Sequence, residues 1–214
     1  MDAGRQLGEV LQSAGVARPV LFGLPSGGIP VAMAAAEVLK TRFDVLPVKK
    51  LGLPRSPETA FGAVAFDGTV ELDSLIIAGA GLRESAVKEL TAEGLQKVRE
   101  ADRRLRGARP FPRGAGQLAL VIDDGLATGN TALVAVAALK NQLWEEVGVA
   151  VPVAPADSAA RLALRLGNRF HSVLTPDVAF FAVGSFYEDF HQLEADEIQR
   201  LLREAAERGL YPAL

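Results

Sequence analysis

Two adjacent carboxylates, Asp123 and Asp124, stand at the end of an apolar run formed by Leu118, Leu120, Val121 and Ile122. A small-residue segment follows, Gly125-Leu126-Ala127-Thr128-Gly129, and a helical pattern opens at Asn130-Thr131. The run reads as a buried strand. Carboxylates at the C-terminal end of such a strand sit where open α/β sheets bind their ligands. A Gly/Thr loop entering a helix offers unpaired N–H groups and the positive end of the helix dipole to a phosphate. The unit fits a ligand with a phosphate at one end and hydroxyls, with or without a metal ion, about one loop-length away. A phosphorylated ribose has that layout. A plain strand–turn–helix explains one Asp as a turn cap, but not two beside Thr128, Gly129 and Thr131.

Other residues have types that carry chemistry. Leu24-Pro25-Ser26-Gly27-Gly28 follows a short apolar run, Pro19–Leu24, and reads either as a second strand-end anion loop or as a tight turn requiring glycine. Lys49-Lys50 ends a run at Phe43–Val48. A lysine there serves as a point charge for phosphate or simply as solvated surface. Arg103, Arg104 and Arg106 close a charged helix; they form either a solvated face or a basic flap that excludes water from a reacting centre. The segment from Phe180 to Phe190 holds five of the twelve Phe and Tyr residues. Most of these read as packing of a last strand, with Phe181 or Phe186 lining a pocket for a planar ring. His171 and His191 lack partners at metal-ligand spacing and read as structural, and Trp144 as packing.

The elements that must position these groups follow from pattern. The order is a short helix at Gly4–Ala14, a strand at Pro19–Leu24, a helix with Pro30 in its first turn running to about Thr41, and a strand at Phe43–Val48. That order is a βαβ unit of a parallel sheet. Leu51–Leu75 changes character, with a hairpin of Phe61–Phe66 and Thr69–Leu72 around Asp67-Gly68. A charged helix at Ser85–Arg106 and a mobile connector, Gly107–Gly116, follow. Residues 53–113 are therefore expected to leave the sheet as a flap or hood. The core resumes with a strand at Gln117–Ile122, a helix from Gly129 to Leu143, a strand at Val147–Val153 and a helix at Ala156–Leu166. Short strands at Phe170–Leu174 and Val178–Val183 and a terminal helix at Asp196–Arg208 complete it. The expected whole is one α/β domain over 1–214 with a hood insertion.

Composition bounds the function classes. The 214 residues suffice for one well-packed domain. Apolar residues make up 49% and charged residues 23%, the balance of a globular protein, and cytoplasm is the default expectation. The formal net charge of -3 gives no pull toward nucleic acid or an anionic membrane, so any anion site must be local. Without cysteine, thiolate catalysis, disulfides and Cys–zinc sites are excluded.

The segment Val121-Ile-Asp-Asp-Gly-Leu-Ala-Thr-Gly-Asn-Thr131 resembles the 5-phosphoribosyl-1-pyrophosphate (PRPP) motif of the type I phosphoribosyltransferases. The Leu24–Pro30 loop, the lysine pair, the hood and the aromatic segment resemble that family in order and spacing. The resemblance implies a Rossmann-like parallel sheet with helices on both faces and a hood over its C-terminal edge. It implies transfer of a 5-phosphoribosyl group from PRPP to a nitrogenous base, with release of pyrophosphate. Asp123 and Asp124 would hold the ribose hydroxyls and, through water or the ribose, Mg²⁺. Gly125, Leu126, Ala127, Thr128, Gly129, Asn130 and Thr131 would hold the 5′-phosphate. Ser26, Gly27, Gly28 and Lys50 would hold pyrophosphate, and Phe181 or Phe186 would line the acceptor pocket. The implied partners are PRPP and a base, and a homodimer is carried from the family.

Two positions depart from the family pattern or refine it. Related sequences often carry a basic residue where this chain has Ser26, so pyrophosphate must be held by backbone N–H groups, Mg²⁺ and residues elsewhere. That departure keeps open a regulatory protein of the same fold that binds PRPP or a nucleotide without turnover. Enzymes for 6-oxopurines commonly carry an Asp at the position of Ala127, which disfavours that acceptor and leaves adenine- and orotate-type bases open. A Rossmann dinucleotide site or a P-loop lacks its glycine signature here. A phosphohydrolase nucleophile is disfavoured because the side chains of adjacent strand residues diverge.

Overall fold

The computed structural model of the chain describes residues 2–114 and 116–212. Five short strands form a parallel sheet: β1 (Val20–Gly23), β2 (Phe43–Val45), β6 (Leu118–Ile122), β7 (Glu146–Val153) and β8 (Phe170–Leu174), in the order β2-β1-β6-β7-β8. Both faces are covered. Along β6, Leu120 and Ile122 enter a core shared with α1 (Asp2–Ser13), α2 (Gly28–Leu39) and α7 (Ala195–Glu207). Ala119 and Val121 enter a second core with α5 (Asn130–Asn141) and α6 (Ala156–Leu166). Burial on both faces explains why β6 reads as a continuous apolar run rather than an alternation. The Rossmann-like fold expected from the sequence is present.

The strand order fixes where a ligand site must lie. The connection out of β1 turns to β2 on one side, and the chain then returns to β6 on the other side of β1. The crevice beyond the C-terminal ends of β1 and β6 is the switch point at which open α/β sheets bind ligands.

The hood is a three-stranded antiparallel sheet, β3 (Val48–Leu53), β4 (Ser56–Ala65) and β5 (Val70–Leu72), followed by α3 (Ser74–Gly79) and α4 (Glu84–Arg106). The hairpin around Asp67-Gly68 forms as expected, with Gly68 at φ +94°. Asp73 caps α3, accepting from the Leu75 and Ile76 amides. Leu51, Phe61, Val64, Val87 and Val98 make a small separate core with α4. Ala63 and Ala65 pack on Val134 and Ala138 of α5, which ties the hood to the helix that opens from the Gly/Thr loop.

Four expectations are corrected. Phe43–Val48 is not one strand: β2 stops at Val45, and Pro47, which has no N–H to donate, separates it from β3. The antiparallel sheet therefore begins at Val48, not near residue 53, and it contains Lys49 and Lys50. Val178–Val183 forms no strand; β8 is already the sheet edge, and the chain instead folds back irregularly into a 3₁₀ turn at Val183–Phe186. The connector Gly107–Gly116, of which Ala115 lies outside the described residues, is anchored rather than loose. Phe111 stacks between Phe22 and Phe66, and the Trp144 indole N–H donates to the Pro112 carbonyl at 3.0 Å. Among the described residues no helix is long and apolar enough to cross a membrane.

The hood arginines separate by role. Arg106 is buried and donates to Asp44 at 3.1 Å, to Asp102 at 3.2 Å and to the Pro110 carbonyl at 3.1 Å, with its guanidinium 4.5 Å above the Phe111 ring. Burial pulls its pKa down, but Asp44 and Asp102 outweigh it and hold the group above the usual value. Arg109 bridges Asp44 and the Tyr211 hydroxyl. This network staples the end of α4 to β2. None of Arg103, Arg104 and Arg106 lines the cavity at the switch point, and burial with committed partners overturns the basic-flap reading for Arg106.

Candidate phosphoribosyl site

The loops after β1 and β6 meet at the switch point because two glycines allow it. A Cβ on Gly27 would collide with the Asp124 carboxylate, and one on Gly28 would collide with the Ile122 carbonyl and crowd the Asp123 backbone. Gly27 thus lets the second carboxylate lie directly over the first loop. Gly28 starts α2, and its N–H donates to the Leu24 carbonyl at 2.9 Å, while Ile29 donates to the Ser26 carbonyl at 3.2 Å. The Gly28 amide is therefore not offered to an anion, which corrects that part of the expectation; its place is set by close packing against β6. Ser26 and Gly27 do line the open crevice.

The diacidic pair is electrostatically loaded. Burial raises the pKa of Asp123 well above the usual carboxylate range, and the neighbouring Asp124 charge raises it further. Asp124 is also raised, chiefly by burial, and the Lys50 ammonium opposes the rise. The Asp124 amide donates to Asp123 Oδ1 at 3.0 Å. Two carboxylates held this close at a sheet edge favour cations and hydroxyl donors. Lys50, the lysine singled out above, lines the same cavity, but it comes from β3 of the hood and not from the end of a core strand.

The loop after β6 is held from three elements. The Tyr187 hydroxyl donates to the Asp124 carbonyl at 2.6 Å, the Leu126 amide to the Val153 carbonyl at 3.0 Å, and the Ser158 hydroxyl to the Ala127 carbonyl at 2.6 Å. Gly125 is packed beneath the loop, where a Cβ would strike Val183 and Val153. Leu126 is buried in the sheet core with its amide occupied, so it anchors the loop instead of binding an anion, a second correction. Ala127, Thr128 and Asn130 are exposed, and Gly129 takes φ +78° to turn the chain into α5. At 3.5 Å, the approach of the Asn130 amide to Thr128 Oγ1 is weak. The first amides of α5, Thr131 among them, have no partner within the helix.

The aromatic segment is placed differently from the expectation. Phe181 and Phe186 stack on each other at 5.3 Å. Phe186 faces a separate cavity of about 460 Å³ beside Asp2, Ala3 and Gln6. The 3₁₀ turn ending at Phe186 reverses the chain, and it is Tyr187 and Phe190 that reach the crevice. Together with Ser26, Gly27, Lys50 and Asp124 they line a cavity of about 830 Å³. Their rings lie 5.2 Å apart, and Phe190 is half exposed. His191, read as structural, lies on the same wall between Asp189 at 3.5 Å and Glu197 at 3.6 Å. The spacing Tyr187-x-x-Phe190 after a turn was the available signal, hidden by reading the segment as a strand.

Residues 1–165 match the family model described as a phosphoribosyl transferase domain, and the chain belongs to that family. Its parallel sheet covered by helices on both faces is that of the type I phosphoribosyltransferase fold. The chain is 38% identical over 217 residues to Rv0571c of Mycobacterium tuberculosis (strain ATCC 25618 / H37Rv), a protein provisionally named a phosphoribosyl transferase. That similarity covers 99% of this chain and 48% of the relative, so the chain spans about half the length of the curated relatives it matches. The crystal structure of TT1426 from Thermus thermophilus is 33% identical, with a TM-score of 0.74, covering 94% of this chain and 95% of that one. A hypothetical protein from Neisseria gonorrhoeae, solved with bound ppGpp, is 17% identical with a TM-score of 0.51 and shares the fold alone, over 97% of this chain and 91% of that one.

Proposed function

We propose that this chain transfers the 5-phosphoribosyl group of PRPP to a nitrogen of a planar base. One observation carries the reading: the Asp124 carboxylate lies against Gly27 in a crevice that also holds Ser26 and Lys50. A carboxylate, a cation and two strand-end loops around one crevice support a phosphorylated ribose as the ligand. The acceptor nitrogen's lone pair forms the new bond to C1 as the C1–oxygen bond breaks, and the electron pair of that bond leaves with pyrophosphate. Little covalent chemistry is asked of the protein; positioning and charge stabilisation do the work. Asp123 and Asp124 orient the ribose hydroxyls, Thr128, Gly129 and Thr131 take the 5′-phosphate, and Lys50 faces the leaving group. Phe190 offers an aromatic face to the base.

Mg²⁺ fits the donor set in one way. Among the described residues no group of three metal-ligating side chains exists. A hard cation that keeps waters and uses one or two carboxylates plus substrate phosphates needs none. Asp123 and Asp124 would hold it jointly with PRPP, and when bound it neutralises pyrophosphate charge.

Ser26 supports the second reading, binding without turnover, because this loop lacks a cation of its own. Ser26→Arg should tighten pyrophosphate binding about tenfold, the effect of one partly exposed charge-assisted contact. An unchanged affinity by calorimetry removes the basis for that second reading. The activity itself is tested by pyrophosphate release from Mg²⁺–PRPP across a panel of bases. Release with one base class supports transfer; PRPP binding with no release for any base supports the regulatory reading.

A further inference from the structure

Ser158 lies in the first turn of α6 and is 4% exposed, one of few buried polar side chains. Its hydroxyl donates to the Ala127 carbonyl at 2.6 Å, and it accepts an N–H from Arg161, one turn further along, at 2.9 Å. Because Arg161 can only donate, the single hydroxyl proton of Ser158 is committed to Ala127. The order of the relay is thereby fixed: guanidinium to hydroxyl to carbonyl.

The carbonyl of Ala127 and the N–H of Thr128 belong to one planar peptide. The only cis bond among the described residues is Pro25–Ser26, so this peptide is trans and its two dipolar groups point in opposite directions. Fixing the Ala127 oxygen toward α6 aims the Thr128 N–H away from α6. Hydrogen bonds in series polarise one another, so a cation at the head of the chain strengthens the donor at its tail.

We infer that Ser158 and Arg161 are positioning residues for the anion loop: they hold the Ala127–Thr128 peptide so that the Thr128 amide serves the 5′-phosphate, and they lend that amide part of the Arg161 charge. The loop Gly125–Thr131 contains no basic residue, so this relay supplies positive character that its own sequence lacks. The inference rests on the phosphoribosyl reading and deepens it.

The test uses the full chain and two probes, ribose 5-phosphate and Mg²⁺–pyrophosphate, titrated by calorimetry. Ser158→Ala should weaken ribose 5-phosphate about tenfold, the loss of one charge-assisted hydrogen bond, and leave pyrophosphate within about twofold. Arg161→Met, on an exposed side chain, should weaken ribose 5-phosphate about threefold, and adding it to Ser158→Ala should change little, because both act through one chain of bonds. The Thr128 amide resonance should shift on adding ribose 5-phosphate to the wild type and shift less in either variant. Equal losses for both probes would show a merely structural role and overturn the inference. So would unchanged ribose 5-phosphate affinity, or fully additive losses. A wild-type chain that binds pyrophosphate but not ribose 5-phosphate overturns the phosphate assignment of the loop, and the inference with it.

Discussion

Asp124→Asn should weaken PRPP binding about a hundredfold while leaving the melting temperature at neutral pH unchanged or higher. The binding loss follows from replacing an anionic acceptor of hydroxyl hydrogen bonds, since charged acceptors contribute roughly 1.5–3 kcal/mol per bond and a hundredfold is about 2.7 kcal/mol. The stability effect runs the other way. A carboxyl whose pKa is raised by folding is protonated more readily in the folded chain than in the unfolded one. The stability contribution of the Asp123–Asp124 pair therefore falls as pH rises from the usual carboxylate range through the raised values. Asparagine removes one charge from the pair, so the variant should also show a flatter dependence of stability on pH in that window. Calorimetry and thermal melts between pH 4 and 8 check both parts (a range chosen to bracket the raised carboxyls). A large loss of stability would instead make Asp124 a structural turn residue.

Arg106→Met should unfold the chain far more easily without touching the ligand. The change leaves Asp44, itself 3% exposed, with Arg109 at 3.4 Å as its remaining cationic partner. Removing one member of a buried pair costs about 3–5 kcal/mol, because the other charge stays desolvated. In a chain of this size that corresponds to a drop of roughly 6–20 °C in melting temperature. PRPP affinity measured below the transition should stay within about threefold, since the network lies at β2 and the end of α4 and not in the crevice. A loss of affinity at unchanged stability would return Arg106 to the ligand and restore the flap reading.

The part of the candidate site after β6 was legible as a strand–loop–helix because it is local in sequence. Asp123 through Thr131 is one strand end, one loop and one helix start, and its apolar approach, glycine and threonines are all signals with a short-range cause. The close approach of Gly27 to Asp124 was not legible, since 97 positions separate the two and only the sheet order brings them together. The lysine pair was wrongly placed, because Pro47 breaks a run that hydropathy alone joins; Lys50 reaches the cavity from β3. The aromatic segment failed for a related reason: a short apolar run looks the same whether it pairs at an edge or folds back over a loop, and Phe180, 96% exposed, shows the second outcome. Arg106 was grouped with its exposed neighbours and Ser158 carried no signal, as a buried arginine and a buried serine are recognised only by the partners that folding supplies.

The central claim is that the crevice beyond β1 and β6 binds PRPP through the diacidic pair with Mg²⁺. The most direct measurement is calorimetric titration of PRPP into the wild-type chain with and without Mg²⁺. Micromolar binding that requires Mg²⁺ is the expected result; no binding in either condition would contradict the account and leave the Asp123–Thr131 segment as a scaffold for another phosphorylated ligand.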